Sequence, residues 1–407
     1  MVAFHTKAAR DTNRSILVLS LYFQPDLSAG SFRNTSLVDE LQSRLEDGTR
    51  IDVITSLPSR YASYSVDAPQ TETHGPLTIN RVHLPAHRNG MLDQVRSFAI
   101  YAMAVLSLTK GRRYELVYGS SSRLMTASLA SFVARRTGAK LYLDIRDNFV
   151  ETIAEVLPRK LSWLFVPVFS VMEKLTVSRA DRVNLVSEGF LPYFRSRYQN
   201  TCFSLFTNGI DEEFVKSLKK TTKPRGDSTI LVLYAGNFGE GQGLEHIIPE
   251  LAKRLEQRAS FVLFGDGARR RELEAELEAR KVVNVKINPP VPREALIDEY
   301  LKSDVLFLHL NDHAAFLNVL PSKIFEYAAL GKPVWAGVGG FAARFLEREV
   351  ENVAVFNPGD ADKAMETFNG LVLETRQRTA FIQKFSRRKI MKNMSADILS
   401  LLRTENR

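Results

Sequence analysis

Thr229-Ile-Leu-Val-Leu-Tyr-Ala-Gly-Asn-Phe-Gly-Glu-Gly-Gln-Gly-Leu244 reads as a strand, a glycine loop and the start of a helix. The unbroken apolar run Thr229 to Tyr234 suits a strand buried on both faces. Glycines 236, 239, 241 and 243 then fall within eight residues, ahead of an amphipathic stretch from Leu244 to Leu255. Small residues between a strand and a helix let backbone amides face an anion, so Gly236, Asn237, Gly239, Gln242 and Gly243 are candidate contacts. No Lys-Ser/Thr pair follows, so this is not a Walker loop.

The same pattern opens the chain. Ser15 to Leu21 reads as a buried strand, Ser36 to Leu45 as its helix, and Ile51 to Ser56, Glu115 to Gly119, Lys140 to Asp144 and Arg182 to Val186 as further strands. After a Lys, Pro, Gly and Asp-rich spacer at Thr221 to Ser228, the series restarts at Thr229. It continues through Ser260–Phe264, Val283–Ile287, Val305–Leu310, Val334–Ala336 and Val353–Phe356. Strand-helix alternation predicts parallel sheets covered on both faces. Two doubly wound, Rossmann-like α/β domains are expected, facing each other across a cleft at the carboxyl ends of their strands. The expected division is 1–208, 209–376 and a basic tail helix within 377–407 that crosses back to the first domain.

Four other segments carry candidate chemistry. The loop Tyr22 to Ser31 holds small residues at 28 to 31, so Gly30 can approach a ligand closely. It lacks the Gly-x-Gly-x-x-Gly of a dinucleotide fingerprint. Gly265 and Asp266 follow the strand at Ser260–Phe264 and suit approach to a base or sugar. Asp144-Ile145-Arg146-Asp147-Asn148 ends a strand with three charges that need partners or a cleft. Two readings stay open there: Arg146 clamps Asp144 or Asp147, or Arg146 and Asp147 orient an acceptor. His83 and His87 share a loop with Arg88 without a specific pattern. His309 and His313 flank Asn311-Asp312, a sparse donor set for a metal.

The fourth segment is Leu320-Pro-Ser-Lys-Ile-Phe-Glu-Tyr-Ala-Ala-Leu-Gly-Lys-Pro-Val334. Pro321 and Ser322 suit a helix start, and Gly331 followed by Lys332-Pro333 suits a stop. Glu326 is the one acid among apolar neighbours and needs a partner. Helix-start amides with Ser322 and Lys323 favour an anionic group such as phosphate. One helix therefore offers a phosphate end and, a turn later, a carboxylate for ribose hydroxyls.

The bulk composition sets limits. At 407 residues, 44% apolar and 25% charged, the chain is ordinary for a globular protein of two domains. Its single cysteine, Cys202, excludes an internal disulfide and fits a reducing compartment. No secretion signal is read at the start, so a cytoplasmic location is expected. Of the net charge of +9, about seven units fall in residues 1–200. A basic first half implies an acidic partner, yet no nucleic-acid module is present. Phe98–Leu108 and Leu161–Val171 are apolar with basic flanks. They are either buried helices or faces that lie on an anionic membrane, which would place the chain at the cytoplasmic face of the inner membrane.

Taken together these segments resemble the retaining glycosyltransferases of family 4, with the two-domain GT-B fold. The resemblance rests on Pro25–Gly30, Asn208-Gly209-Ile210-Asp211, the glycines at 236–243, Phe264-Gly265-Asp266-Gly267 and Leu320–Val334. The Asp144–Asp147 and Pro321–Tyr327 variants look like the branch that builds bacterial O-antigen, capsule and exopolysaccharide, which often uses N-acetylated amino-sugar donors. The resemblance implies a nucleotide-diphosphate sugar, UDP-linked, as donor, a saccharide or lipid-linked saccharide as acceptor, and no metal or other cofactor. It implies Glu326 on the ribose, Gly30 and Gly236–Gly243 about the diphosphate, Ser322, Lys323 and following amides on phosphate, and Gly265 near the base. Two departures stand out. Asn318 replaces a glutamate eight residues before Glu326, and Asn237 and Gln242 replace an arginine and a lysine, so Lys323 is expected to supply part of the missing charge. Two other readings share the fold: a UDP-N-acetylhexosamine 2-epimerase, which needs no acceptor, and a nucleotide-sugar-binding subunit without turnover.

Overall fold

A computed structural model describes residues 14–45, 48–58, 66–85, 91–121, 124–156, 159–218 and 229–403. The spacer at 221–228, most of the N-terminal tail, His87 and Arg88 lie outside them.

The first sheet contains β1 (Ser15–Leu19), β2 (Arg50–Ser56), β3 (Thr71–His74), β4 (Leu77–Val82), β5 (Leu116–Ser121), β6 (Lys140–Ile145), β7 (Arg182–Leu185) and β8 (Phe203–Ser204). Their order is β3-β4-β2-β1-β5-β6-β7-β8, and only the β3–β4 pair is antiparallel. The second sheet contains β9 (Ile230–Asn237), β10 (Ala259–Asp266), β11 (Val285–Asn288), β12 (Val305–His309), β13 (Val334–Gly337) and β14 (Val353–Phe356). It is parallel, in the order β11-β10-β9-β12-β13-β14. The strand order therefore reverses beside β1 and again beside β9, the place where open parallel sheets leave a crevice.

Each sheet is buried on both faces. Leu17, Leu19, Val117 and Leu143 meet Tyr101, Val105, Ala130 and Val133 on one side of the first sheet. Ile16, Val18, Ile51 and Val53 meet Leu37, Val38 and Leu41 on the other. Leu306, Leu308, Val334 and Ala336 of the second sheet cover Ile324, Phe325 and Ala328, while Val232, Phe307 and Trp335 cover Ile247, Ile248 and Leu251.

Several boundaries differ from the sequence reading. The first helix runs Ala29–Gln42, not from Ser36, because the Ser28 side chain caps it by accepting from the Ser31 amide at 3.1 Å. The small residues at 29–31 are thus its first turn. Strands β9 and β10 extend to Asn237 and Asp266 because Gly236 pairs with Gly265 and Asn237 with Asp266. The tail forms two helices, Thr379–Lys384 and Arg387–Arg403. Between them the chain bonds alongside the interdomain connection: Ile210 N–H donates to the Phe385 carbonyl at 2.8 Å and Arg387 N–H to the Ile210 carbonyl at 2.9 Å. Phe381 and Phe385 belong to the second domain's core, whereas Ile390, Met391, Met394 and Ile398 belong to the first's. The two domains are therefore tied by two chain crossings that touch.

Candidate functional site

A cleft of about 460 Å3 opens between the domains, within the range of small-molecule sites. The first domain contributes Tyr22, Ser28, Gly30, Phe32, Arg146 and Asp147. The second contributes Gly236, Asn237, Gln242, Gly265, Arg293, Pro321, Ser322, Lys323 and Glu326. Most candidates drawn from widely separated segments thus meet in one place. Gly239, Gly243 and Asp266 do not line it. Gly239 packs under Asn237 and Gln242, Gly243 adopts φ +55° at the start of the helix Leu244–Arg254, and the Asp266 carboxylate accepts from the Gly267 amide at 2.9 Å.

The glycine loop is braced rather than open. Gln242 Oε1 accepts from Asn237 Nδ2 at 3.1 Å and from the Gly239 amide at 3.3 Å. His309 sits beneath the loop. The Gly359 amide donates to its Nε2 at 3.1 Å, so Nδ1 carries the proton and donates to the Gln242 carbonyl at 2.7 Å. Burial lowers this imidazole to about 4, which keeps it neutral. Among the described residues no group of His, Cys, Asp and Glu is arranged to hold a metal.

Two glycines admit what surrounds them. A Cβ at Gly236 (φ +151°) would stand 2.1 Å from Lys323 Nζ, and one at Gly265 (φ +155°) 1.8 Å from the Gly236 carbonyl oxygen. The absence of both side chains lets β9 and β10 close together and lets the Lys323 amine reach the end of β9, 5.0 Å from the centre of the Tyr234 ring. The helix carrying Lys323 spans Lys323–Ala329, and Ser322 makes no side-chain cap. The amides of Ile324 and Phe325 already donate to the carbonyls of Pro321 and Ser322. The Lys323 side chain lines the cleft beside Ser322.

Arg146 and Asp144 resolve differently from the simple clamp. Asp144 is fully buried and paired with Arg33, whose Nε and Nη2 donate to it at 2.8 and 2.9 Å. Burial opposes ionisation of Asp144, but the Arg33 guanidinium outweighs it and holds the carboxyl below its ordinary range. Arg33 also donates to the carbonyls of Phe206 and Thr207, both at 2.8 Å. Arg146 is thereby released toward the cleft. Its Nη1 lies 2.4 Å from where a Gly30 side chain would begin, and its Nε is buried without a hydrogen-bond partner. Burial lowers its pKa, so an anion in the cleft would relieve a real penalty. Asp147 stands beside it on the exposed rim.

Glu326 faces the same space. Among the described residues its carboxylate accepts no hydrogen bond. Burial raises its pKa, and Arg293 and Lys323 pull the other way. Arg293 acts on it strongly through space, but the hydrogen bonds of that guanidinium go elsewhere. It donates to Asp211, pairs with Glu213 at 2.9 Å, and stacks over the Phe32 and Phe214 rings at 4.0 and 4.9 Å. Arg293 escaped the sequence reading, and so did the pairing of Arg33, visible there only as a residue of the first helix, with Asp144. One signal was available: Arg293 opens the helix Arg293–Lys302, where a cation opposes the helix dipole.

Residues 215–388 match the family model described as glycosyl transferases group 1. WcaI of Escherichia coli (strain K12), named as a colanic acid biosynthesis glycosyl transferase, is 22% identical over 337 residues, 78% of this chain and 81% of that protein. Sucrose-phosphate synthase from Thermosynechococcus elongatus superposes with a TM-score of 0.76 at 16% identity, covering 96% of this chain and 100% of that one. HepE of Anabaena, solved in complex with UDP-glucose, superposes with a TM-score of 0.64 at 14% identity, covering 95% and 99%. At such identities the structural likenesses speak for the fold.

Proposed function

We propose that this chain, a glycosyltransferase of GT-B fold carrying a group 1 domain, moves a sugar from a UDP-linked donor to a saccharide or lipid-linked saccharide. Transfer proceeds with retention at the anomeric carbon, as a step in building a cell-surface polysaccharide. The observation that carries the reading is the pairing of opposite chemistries across one cleft. Lys323 and Arg146 approach from the two domains, and among the described residues the Glu326 carboxylate accepts no hydrogen bond. A nucleotide diphosphate has that pattern in reverse, anionic in the middle with a vicinal diol to one side. The relative named for colanic acid biosynthesis and the UDP-glucose held by HepE favour the same substrate class.

In this reading Glu326 accepts from both ribose hydroxyls and Gly265 lies against the base. As the glycosidic bond breaks, charge builds on the leaving diphosphate. Lys323 and Arg146 stabilise it, most strongly once closure of the two domains over the cleft excludes bulk water. Arg146 substitutes in part for the cations that Asn237 and Gln242 do not supply. Asp147, on the rim, orients the acceptor hydroxyl. No step calls on a metal.

The test is purified protein with a panel of UDP-sugars, including N-acetylated amino sugars, and a lipid-linked saccharide. UDP release that requires the acceptor supports the reading. An altered sugar nucleotide formed without acceptor would replace it with epimerisation. Binding without turnover in the presence of competent acceptors would replace it with a binding role.

A further inference from the structure

The helices Met91–Leu108, Leu124–Thr137 and Arg159–Val177 lie side by side on one face of the first sheet. Their inward residues, Tyr101, Val105, Ala130, Val133 and Val177, are core. Their outward residues are apolar as well. Trp163 is 81% exposed, Met103 62%, Val95 61%, Val171 59% and Phe132 54%. On the third helix Trp163, Pro167, Val171 and Leu175 recur every fourth residue, a single outward stripe. Scattered exposed apolar residues are ordinary, but exposed apolar residues on three neighbouring helices, with Phe132, Met172 and Leu175 lining one groove, mark a contact surface.

The charge around the patch identifies what it contacts. Exposed Arg96, Arg135, Arg136, Lys174 and Arg179 rim it. The described acids of these helices are Asp93 and Glu173, and Glu173 is buried, accepting from Tyr193 and Tyr198. Between the second and third helices a groove of about 460 Å3 is walled by Phe132, Met172 and Leu175, with Arg135, Arg136 and Arg179 along it. Apolar floor with cationic rim is the complement of an anionic phospholipid, acyl chain below and phosphate above. Among the described residues no helix is long and apolar enough to cross a membrane. The contact is therefore with a surface.

We propose that this three-helix face docks the protein on an anionic lipid bilayer, with Trp163 inserted at the level of the headgroups. The inference names the surface behind the lipid-linked acceptor of the proposed reaction, but it rests on the outward faces alone. The docking face is coupled to the cleft. The helix Phe149–Val156 starts two residues after Asp147, contacts the second domain at Ala314–Asn318, and meets the docking helix where Phe149 packs edge-on against Phe169 at 5.2 Å. A saccharide presented from the bilayer would enter beside Asp147.

The chain suits a direct optical test, because it has two tryptophans and the other, Trp335, is fully buried. With vesicles of phosphatidylglycerol and phosphatidylcholine, Trp163 emission should shift to the blue and be quenched by brominated acyl chains. Pure phosphatidylcholine should do little, and high salt should reverse the effect. Arg135→Gln with Arg179→Gln should weaken vesicle binding about 30-fold, and Trp163→Ser should abolish the optical change. Both variants alter exposed side chains and should keep the circular dichroism and UDP affinity of the parent. Unchanged emission with anionic vesicles at low salt overturns the proposal. So does a concentration-dependent dimer that shifts Trp163 emission without lipid, which would make the face a contact between copies. Because vesicle binding is read without sugar, its failure is separate from failure of the transfer reaction.

Discussion

Glu326→Gln separates a ligand-binding carboxylate from a structural one. In the unliganded protein burial raises the Glu326 pKa, so the ionised group opposes folding at neutral pH. Stability associated with it is greatest below the unfolded carboxyl value and declines as pH rises toward the raised folded one. Removing the charge takes from Arg293 the carboxylate that acts on it most strongly, but leaves it paired with Asp211 and Glu213. The glutamine variant should therefore melt no lower than the parent, and higher at neutral pH than the parent does. Binding should move the other way. A carboxylate accepting two ribose hydroxyls makes two charged hydrogen bonds of about 1.5–3 kcal/mol each. The amide retains one acceptor, so UDP should bind about 10- to 100-fold more weakly, and Glu326→Ala should lose about 100-fold or more. Scanning fluorimetry gives the first quantity and titration calorimetry with UDP the second. A clear fall in melting temperature with intact UDP affinity would refute the reasoning, because it would make Glu326 a structural partner of Arg293.

Three further outcomes are expected. Gly265→Ala places a methyl 1.8 Å from the Gly236 carbonyl oxygen and should cost about 3 kcal/mol in urea unfolding, with loss of UDP binding as β9 and β10 separate. Asp144→Asn leaves the fully buried Arg33 uncompensated beside the carbonyls of Phe206 and Thr207, and should cost about 3–5 kcal/mol by the same measurement. His309, neutral in the fold with a value of about 4, contributes stability that is present above its unfolded value of about 6.5 and is lost as pH falls toward 4. Chemical denaturation across that window should show a slope about one proton steeper in the parent than in His309→Gln.

The strands and helices were legible because burial on both faces turns parallel strands into apolar runs that stand out from the helices between them. The β3–β4 hairpin was not, since Thr71–His74 is an edge strand with exposed polar residues, and Phe203–Ser204 is too short to leave a pattern. The second-domain wall of the cleft was legible for a local reason: Gly236, Gly265 and the Pro321–Glu326 segment each sit at the carboxyl end of a strand or just before a helix. The first-domain wall was only half legible. Arg33 and Arg146 both could have paired with Asp144, and the choice depends on packing between positions 111 residues apart. Composition and spacing cannot weigh such a competition. The membrane question had the same form. Two apolar, basic-flanked segments were visible, but whether their outer faces are covered depends on which side of the sheet they occupy.

The commitment of Arg293 connects the hinge to the site. Asp211 lies in the turn that enters the second domain, and it takes Arg387 from the returning chain as well as Arg293. Burial would raise its pKa, yet the two guanidiniums hold it below the ordinary carboxylate range, so it remains charged at neutral pH. That one carboxylate fastens both crossings between the domains and takes the hydrogen bond of Arg293, which then acts on Glu326 through space without bonding to it. Arg293 also stacks on Phe32 of the first domain, so relative movement of the domains must disturb either that stack or the Asp211 pair. If the stack fails first, the pair keeps Arg293 away and Glu326 stays available. If the pair fails first, Arg293 can turn to Glu326 and close off the acceptor. The pair is charged and largely buried whereas the stack is a single cation–π contact of about 0.5–2 kcal/mol. The stack is the weaker of the two, so opening the cleft should leave the carboxylate exposed to an arriving nucleotide, and closing it should restore the Phe32 contact over the bound one.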